Sequence, residues 1–321
     1  MKDLRERILN CIVRPIPSAL RIGLWIICIT VPVAFAVFLL KFSGAIDFVA
    51  IPFEPLFSLI GLPGESALVF ITSCLLNIYS CIAVMGTLNL TGHEITVLAL
   101  MCLISHNLPV ETAVQKKTGT SALTLIVIRL CSSFAGGLLL HHLMPSETAF
   151  KTVGSHSSSH AMTSDLMKES MIWLEGTALL CLKIFLLITV LIILQKILEE
   201  FKITAMLSGL MKYPLALLGI PAKAVFLWII SNTLGLAYGS GILIDQSQKG
   251  TLNRKELDIL NYHIAISHSL LEDTLLFVAI GVSAWWISVP RLFIAGIVVW
   301  GARLIYSFRS STRTVHESQS L

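Results

Sequence analysis

Residues 90 to 130 align without a gap onto residues 252 to 292. The matched pairs include Leu90/Leu252, Glu94/Glu256, Ser105/Ser267, His106/His268, Thr112/Thr274, Gly119/Gly281 and Arg129/Arg291, and the acids Glu111 and Asp273 fall opposite each other. Each copy has to fold the same way locally, so the repeat fixes two elements at once. Ionisable residues held inside apolar sequence cost several kcal/mol, roughly 2.5–3.5 each on insertion scales, and mark functional positions by default. Duplicated halves with interrupted helices at the repeat are the sequence signature of a transporter site.

Composition decides the solvent. Apolar residues make up 55% of the chain and charged ones 13%, against about 25% charged in a soluble domain. The apolar runs do not alternate with polar residues, which excludes a barrel. The reading is an all-α polytopic membrane protein. It has two structural repeats, inverted relative to each other, with broken or re-entrant helices at the repeat interface. The first run, 22–40, has the length of a full span. It is followed by Lys41-Phe42 rather than a small-residue cleavage site. The seven cysteines sit mostly in apolar runs without a CxxC pair and read as helix-packing residues.

The chain divides into an amphipathic N-terminus (1–21), a first repeat (22–145), a polar linker (146–170), a second repeat (171–305) and a basic tail (306–321). In each repeat a long span (22–40, 173–194) precedes an amphipathic segment (45–60, 199–218) that ends in Gly-x-Pro. A second span (64–86, 222–243) then carries polar residues mid-run, among them Asn77 and Asn232. Lysines and arginines at both ends of the chain, and their lack of excess in the linker, put the termini in the cytoplasm and the linker outside.

The repeat itself opens on capping-box patterns, Thr91-x-x-Glu94 and Asn253-x-x-Glu256. The helices that follow run to His106 and His268. At about 14 residues, or roughly 21 Å, each is too short to cross a ~30 Å core alone. Asn107-Leu108-Pro109 and Ser269-Leu270-Leu271 then read as caps of fresh short helices; Pro109 favours the first break, and the second has no proline to favour it. Irregular backbone at that depth has to face protein or water. The expected partner of Arg129 is Glu111, and that of Arg291 is Asp273 or Glu272. Free amides at the new helix starts suit an anion, whereas Glu111, Glu272 and Asp273 suit a cation, so the sign of the solute stays open. The two histidines offer proton or hydrogen-bond chemistry. No third ligand type clusters around them in sequence, so no metal site is expected.

The stretches Ser105-His106-Asn107-Leu108-Pro109-Val110-Glu111, with Lys117-Thr118-Gly119, and Ser267-His268-Ser269-Leu270-Leu271-Glu272-Asp273 resemble the nucleoside-recognition, or Gate, domain family. That family includes the spore maturation proteins A and B and the membrane part of ferrous-iron transport protein B. The resemblance spans about 55–143 and 213–305. It implies inverted repeats around a central site in a bacterial cytoplasmic membrane. This chain has no GTPase domain and no cysteine at either break, which departs from the iron-permease version.

The expected function is a secondary transporter or permease for a small polar or charged solute. Its site would be built from Ser105, His106, Asn107, Glu111, Ser267, His268, Ser269, Glu272 and Asp273, with Arg129, Arg291, Asn77 and Asn232 around them. No catalytic residue, metal or cofactor is expected. Membrane lipid and a small solute are the expected partners, with proton or sodium coupling and homo-oligomerisation left open and nucleic acid excluded. The alternatives are a non-transporting Gate-type subunit or scaffold of a membrane complex, and a lipid flippase.

Overall fold

A computed structural model describes residues 2–145, 166–233 and 235–319, so residues 146–165 of the expected linker lie outside the described residues. The described residues form helices and turns only. Five helices are long and apolar enough to cross a membrane: Leu4–Phe42, Gly92–Lys117, Ala122–Leu143, Leu166–Glu200 and Ala284–Phe308. The protein is therefore an all-α polytopic membrane protein. Within the first of these spans the helix Ile16–Phe42 begins ahead of the apolar run that announces it.

The two capping boxes form as the sequence dictates. The Thr91 amide donates to Glu94 Oε2 at 2.6 Å and the Asn253 amide to Glu256 Oε2 at 2.8 Å, while each cap side chain accepts the amide three residues on. The Gly92–Ser105 helix is apolar on every side and is enclosed accordingly; residues 97–104 are entirely shielded. It packs on Ala122–Leu143, as Arg254–Ser267 packs on Ala284–Gln319, and the four make one central bundle. Gly137 permits the close approach, since a Cβ there would press on Met101, and Gly136 does the same for the last helix, where a Cβ would press on Ile294.

The segments expected as second spans are not spans. Ser66–Leu75 and Ile78–Met85 pack against each other as a re-entrant hairpin. Lys41 Nζ donates to Thr87 O at the exit at 2.6 Å, and its charge acts on Glu65 at the entrance. Glu65 lies outside the spans, and burial raises its carboxyl above the usual range while Lys41 pulls it down. The tip reaches the middle of the bundle, where Ser80 Oγ lies 3.3 Å from Thr30 Oγ1. The turn comes from Asn77, which is extended and caps the return helix by accepting the Ser80 amide at 2.9 Å. A ten-residue helix spans about 15 Å, half a bilayer core. Val225–Thr233 and Gly235–Gln248 repeat the arrangement in the second half.

Short helices with exposed apolar faces, Ala45–Ala50 and Glu54–Ser58 in one half and Ile203–Leu210 and Lys212–Leu217 in the other, precede the hairpins. Phe48, Ile51, Tyr213 and Leu217 are exposed on them, as expected of elements lying in a membrane interface.

Candidate functional site

Each long helix of the repeat stops in the middle of the bundle. His106 and His268 turn the chain to extended backbone, and Asn107 and Ser269 follow in the left-handed region, at φ 50°. The hairpin tips hold both kinks: the Asn107 amide donates to Ser73 O at 2.8 Å and the Ser269 amide to Ser231 O at 3.0 Å. New helices, Leu108–Lys117 and Leu270–Ala279, then start. Asn107 and Ser269 stand at the cap positions but make no side-chain cap bond, contrary to the capping role read for them. The second break is the same as the first with Leu271 in place of proline, so the proline is not its cause.

A helix that ends inside a membrane leaves carbonyls without partners. The two repeated arginines supply them. Arg129 Nε donates to Ile104 O at 2.8 Å and its Nη2 to His106 O; Arg291 Nε donates to Ile266 O at 3.2 Å and its Nη2 to His268 O at 2.7 Å and Leu103 O at 3.3 Å. Both side chains are fully shielded. Arg291 is therefore as fully shielded as Arg129. The cations also lie at the negative ends of the two helix dipoles.

The acids pair differently from expectation. Glu111 Oε2 lies 2.7 Å from Arg129 Nη1, the predicted ion pair, although the two atoms meet outside hydrogen-bond geometry. Arg291 forms no ion pair among the described residues, and Asp273 turns to a histidine instead. The pairings cross between the repeats. Glu111 Oε1 is 2.9 Å from His268 Nε2 and 3.3 Å from His106 Nε2, while Asp273 Oδ2 is 3.4 Å from His106 Nε2. The two Nε2 atoms are 3.2 Å apart. All four side chains are at most 7% exposed.

His106, His268, Glu111, Asp273, Arg129 and Arg291 thus converge on one point. Ser105 braces it by donating to Arg129 O at 3.2 Å. Ser267 contacts His263 Nδ1 at 2.9 Å instead. Glu272 faces the first hairpin and accepts from Tyr79 OH at 3.1 Å. Asn77 caps a hairpin helix, and Asn232 donates to Trp228 O at 2.9 Å; neither contacts the cluster through a hydrogen bond. The expectation of no metal-ligand set rested on sequence neighbours alone. The fold gives the histidines carboxylate neighbours, and one ligand atom each from His106, His268 and Asp273 falls within 4.8 Å of the others.

Sequence reasoning missed two features. Tyr79 carries no signal beyond its proximity to Asn77. A polar network also ties the first short helix to the second long one. In it Asn261 Nδ2 donates to Thr118 and Thr120 hydroxyls at 2.7 and 2.8 Å, Gln115 Nε2 to Asn261 O at 2.9 Å, and the Thr120 and Tyr306 hydroxyls to Asp258 at 2.6 and 2.9 Å. The signal was present in the alignment: Asp258 and Asn261 stand where the first copy has Thr96 and Ala99.

The chain is 25% identical over 257 residues, 79% of its length and 81% of the other's, to the uncharacterized membrane protein YvoD of Bacillus subtilis (strain 168). No family model matches the chain. No solved structure matches it either.

Proposed function

We propose that this membrane protein is a transporter or permease for a small charged solute, bound where its two interrupted helices meet. The observation that carries the reading is the crossed cluster itself. Two histidines and two carboxylates from both copies of the repeat converge in a shielded centre, backed by two arginines whose remaining bonds go to helix-end carbonyls. A purely structural core would replace such groups with apolar side chains at no loss of stability.

The contacts support inversion of the repeats. Gly119, which ends the first broken span, abuts Arg254 at the start of the second. His93 and His141, at the start of the first broken span and the end of the next helix, lie 3.1 Å apart at the opposite end. The second broken span therefore begins on the side where the first finishes. Basic side chains gather at the Arg254 end, with Lys116, Lys117, Lys249, Lys255 and Arg303. That bias supports a cytoplasmic assignment for this end and for both termini, and a bacterial inner-membrane location goes with it. Interrupted helices in inverted copies also agree with a Gate-type protein.

Reconstituted vesicles assayed against a panel of ions and metabolites test the reading. Uptake of one solute, reduced at least tenfold by Glu111→Gln and by His268→Ala, is expected. Uptake unchanged in both variants removes the cluster from the mechanism. The second reading, a non-transporting Gate-type subunit or scaffold, is favoured by how completely the cluster is shielded. It predicts no uptake of any panel member and a stoichiometric partner chain in native membranes.

A further inference from the structure

The hydrogen bonds of the histidines fix which nitrogen is left to bind. His268 Nδ1 lies 2.9 Å from Ile264 O and His106 Nδ1 3.2 Å from Leu103 O. A carbonyl only accepts, so each Nδ1 carries a hydrogen and donates it. In the neutral ring Nε2 is then a bare lone pair. Both Nε2 atoms point at each other across 3.2 Å, and both also face carboxylate oxygens. With both carboxyls ionised, four acceptors converge with no donor among them. Asp273 Oδ2 is buried and has no hydrogen-bond partner among the described residues. Of the nearby donors, Nε and Nη2 of Arg129 bind Ile104 O and His106 O and those of Arg291 bind three carbonyls, while Nη1 of each arginine makes no hydrogen bond among the described residues.

We infer that His106, His268 and Asp273, with Glu111 beside them, bind a divalent first-row transition-metal ion, and that this ion is the transported solute. The spacing fits. Metal–nitrogen and metal–oxygen bonds of about 2.0–2.2 Å in a tetrahedron put ligand atoms about 3.3–3.5 Å apart. Four of the separations run from 2.9 to 3.4 Å, and His268 and Asp273 come within 4.8 Å of each other. The second shell fits as well, because an Nδ1–H donated to a backbone carbonyl is the usual brace of a ligating imidazole. Two imidazoles with carboxylates suit zinc, iron, cobalt or manganese rather than magnesium or calcium, which take all-oxygen sets. The arginines close by weaken the hold on a cation, which suits an ion that has to leave again. That the ion is cargo rests on the transporter reading; that it binds does not.

The test is equilibrium binding of Zn²⁺, Mn²⁺ and Mg²⁺ to the full-length detergent-solubilised protein, counted per chain, with thermal unfolding run alongside. Saturable binding of one Zn²⁺ or Mn²⁺ in preference to Mg²⁺ is expected, with thermal stabilisation. Affinity should fall about 10- to 100-fold or more in His268→Gln and in Asp273→Asn, which keeps the side chain's size and guards against misfolding as the cause. His156→Ala combined with His160→Ala removes the linker histidines and should leave the central site intact. No saturable binding by folded protein, or binding indifferent to His268→Gln and Asp273→Asn, overturns the metal inference. A non-metal solute taken up in a Glu111-dependent way overturns it too, while sparing the transporter reading. Zn²⁺ bound at the cluster but never moved across vesicles supports the site and overturns its role in transport.

Discussion

At the residue scale, Arg129 and Arg291 show why the same charge was kept twice. Each reaches from a neighbouring helix to the end of a helix that stops in the middle of the bundle, and each gives its guanidinium to the carbonyls left over there. Arg129 also holds Glu111. Removing one partner of such a pair strands the other, at a cost of about 3–5 kcal/mol. Arg129→Met should therefore lower thermal stability sharply. Adding Glu111→Gln to Arg129→Met should recover part of the loss, and a double-mutant cycle of unfolding midpoints checks the coupling. The histidines, acids and arginines were legible because repetition singles them out. Of their pairings only Glu111 with Arg129 was, because Asp273 and His106 meet only through the crossing of the two copies, and nothing local tells Asp273 to prefer a histidine to Arg291. Tyr79 and Glu272, far apart in the chain, were equally invisible as a pair.

At the scale of elements, the interruption belongs to the left-handed residue and to the carbonyl that catches its amide. Pro109→Leu should leave the fold intact within about 1 kcal/mol, since Leu271 occupies the matching place in an equal break. Asn107→Ile and Ser269→Ile should each cost about 1–2 kcal/mol, because a β-branched side chain resists positive φ. Glycine at either position should be tolerated. Thermal stability of the purified variants separates these outcomes. The interruptions themselves could be read from helix length and capping patterns. The hairpins could not, because 64–86 has the length and apolarity of a span. Its turn at Leu76-Asn77 also lacks the glycine or proline that normally marks one.

At the scale of the molecule, the two ends are not equivalent. The Arg254 end is closed by the buried network of Asp258, Asn261, Thr118 and Thr120. The corresponding positions of the other copy, Thr96, Ala99, Ile280 and Val282, are largely apolar. A polar seam exchanges its bonds for water at less cost than an apolar one separates, so this end should open the more readily. Thr118→Cys should then react with a membrane-impermeant thiol reagent added on the cytoplasmic side, and Ile280→Cys should stay protected from reagent outside. Reporter fusions after Pro145 and at the C-terminus should fall on opposite sides of the membrane.

The account depends on both copies of the repeat contributing to a single binding centre. Solute uptake into vesicles by His106→Ala, His268→Ala and the double variant measures this directly. One shared site predicts that each single variant loses most of the flux and that the double variant is little worse than either. Losses that multiply in the double variant, or flux retained when either histidine is removed, would contradict it.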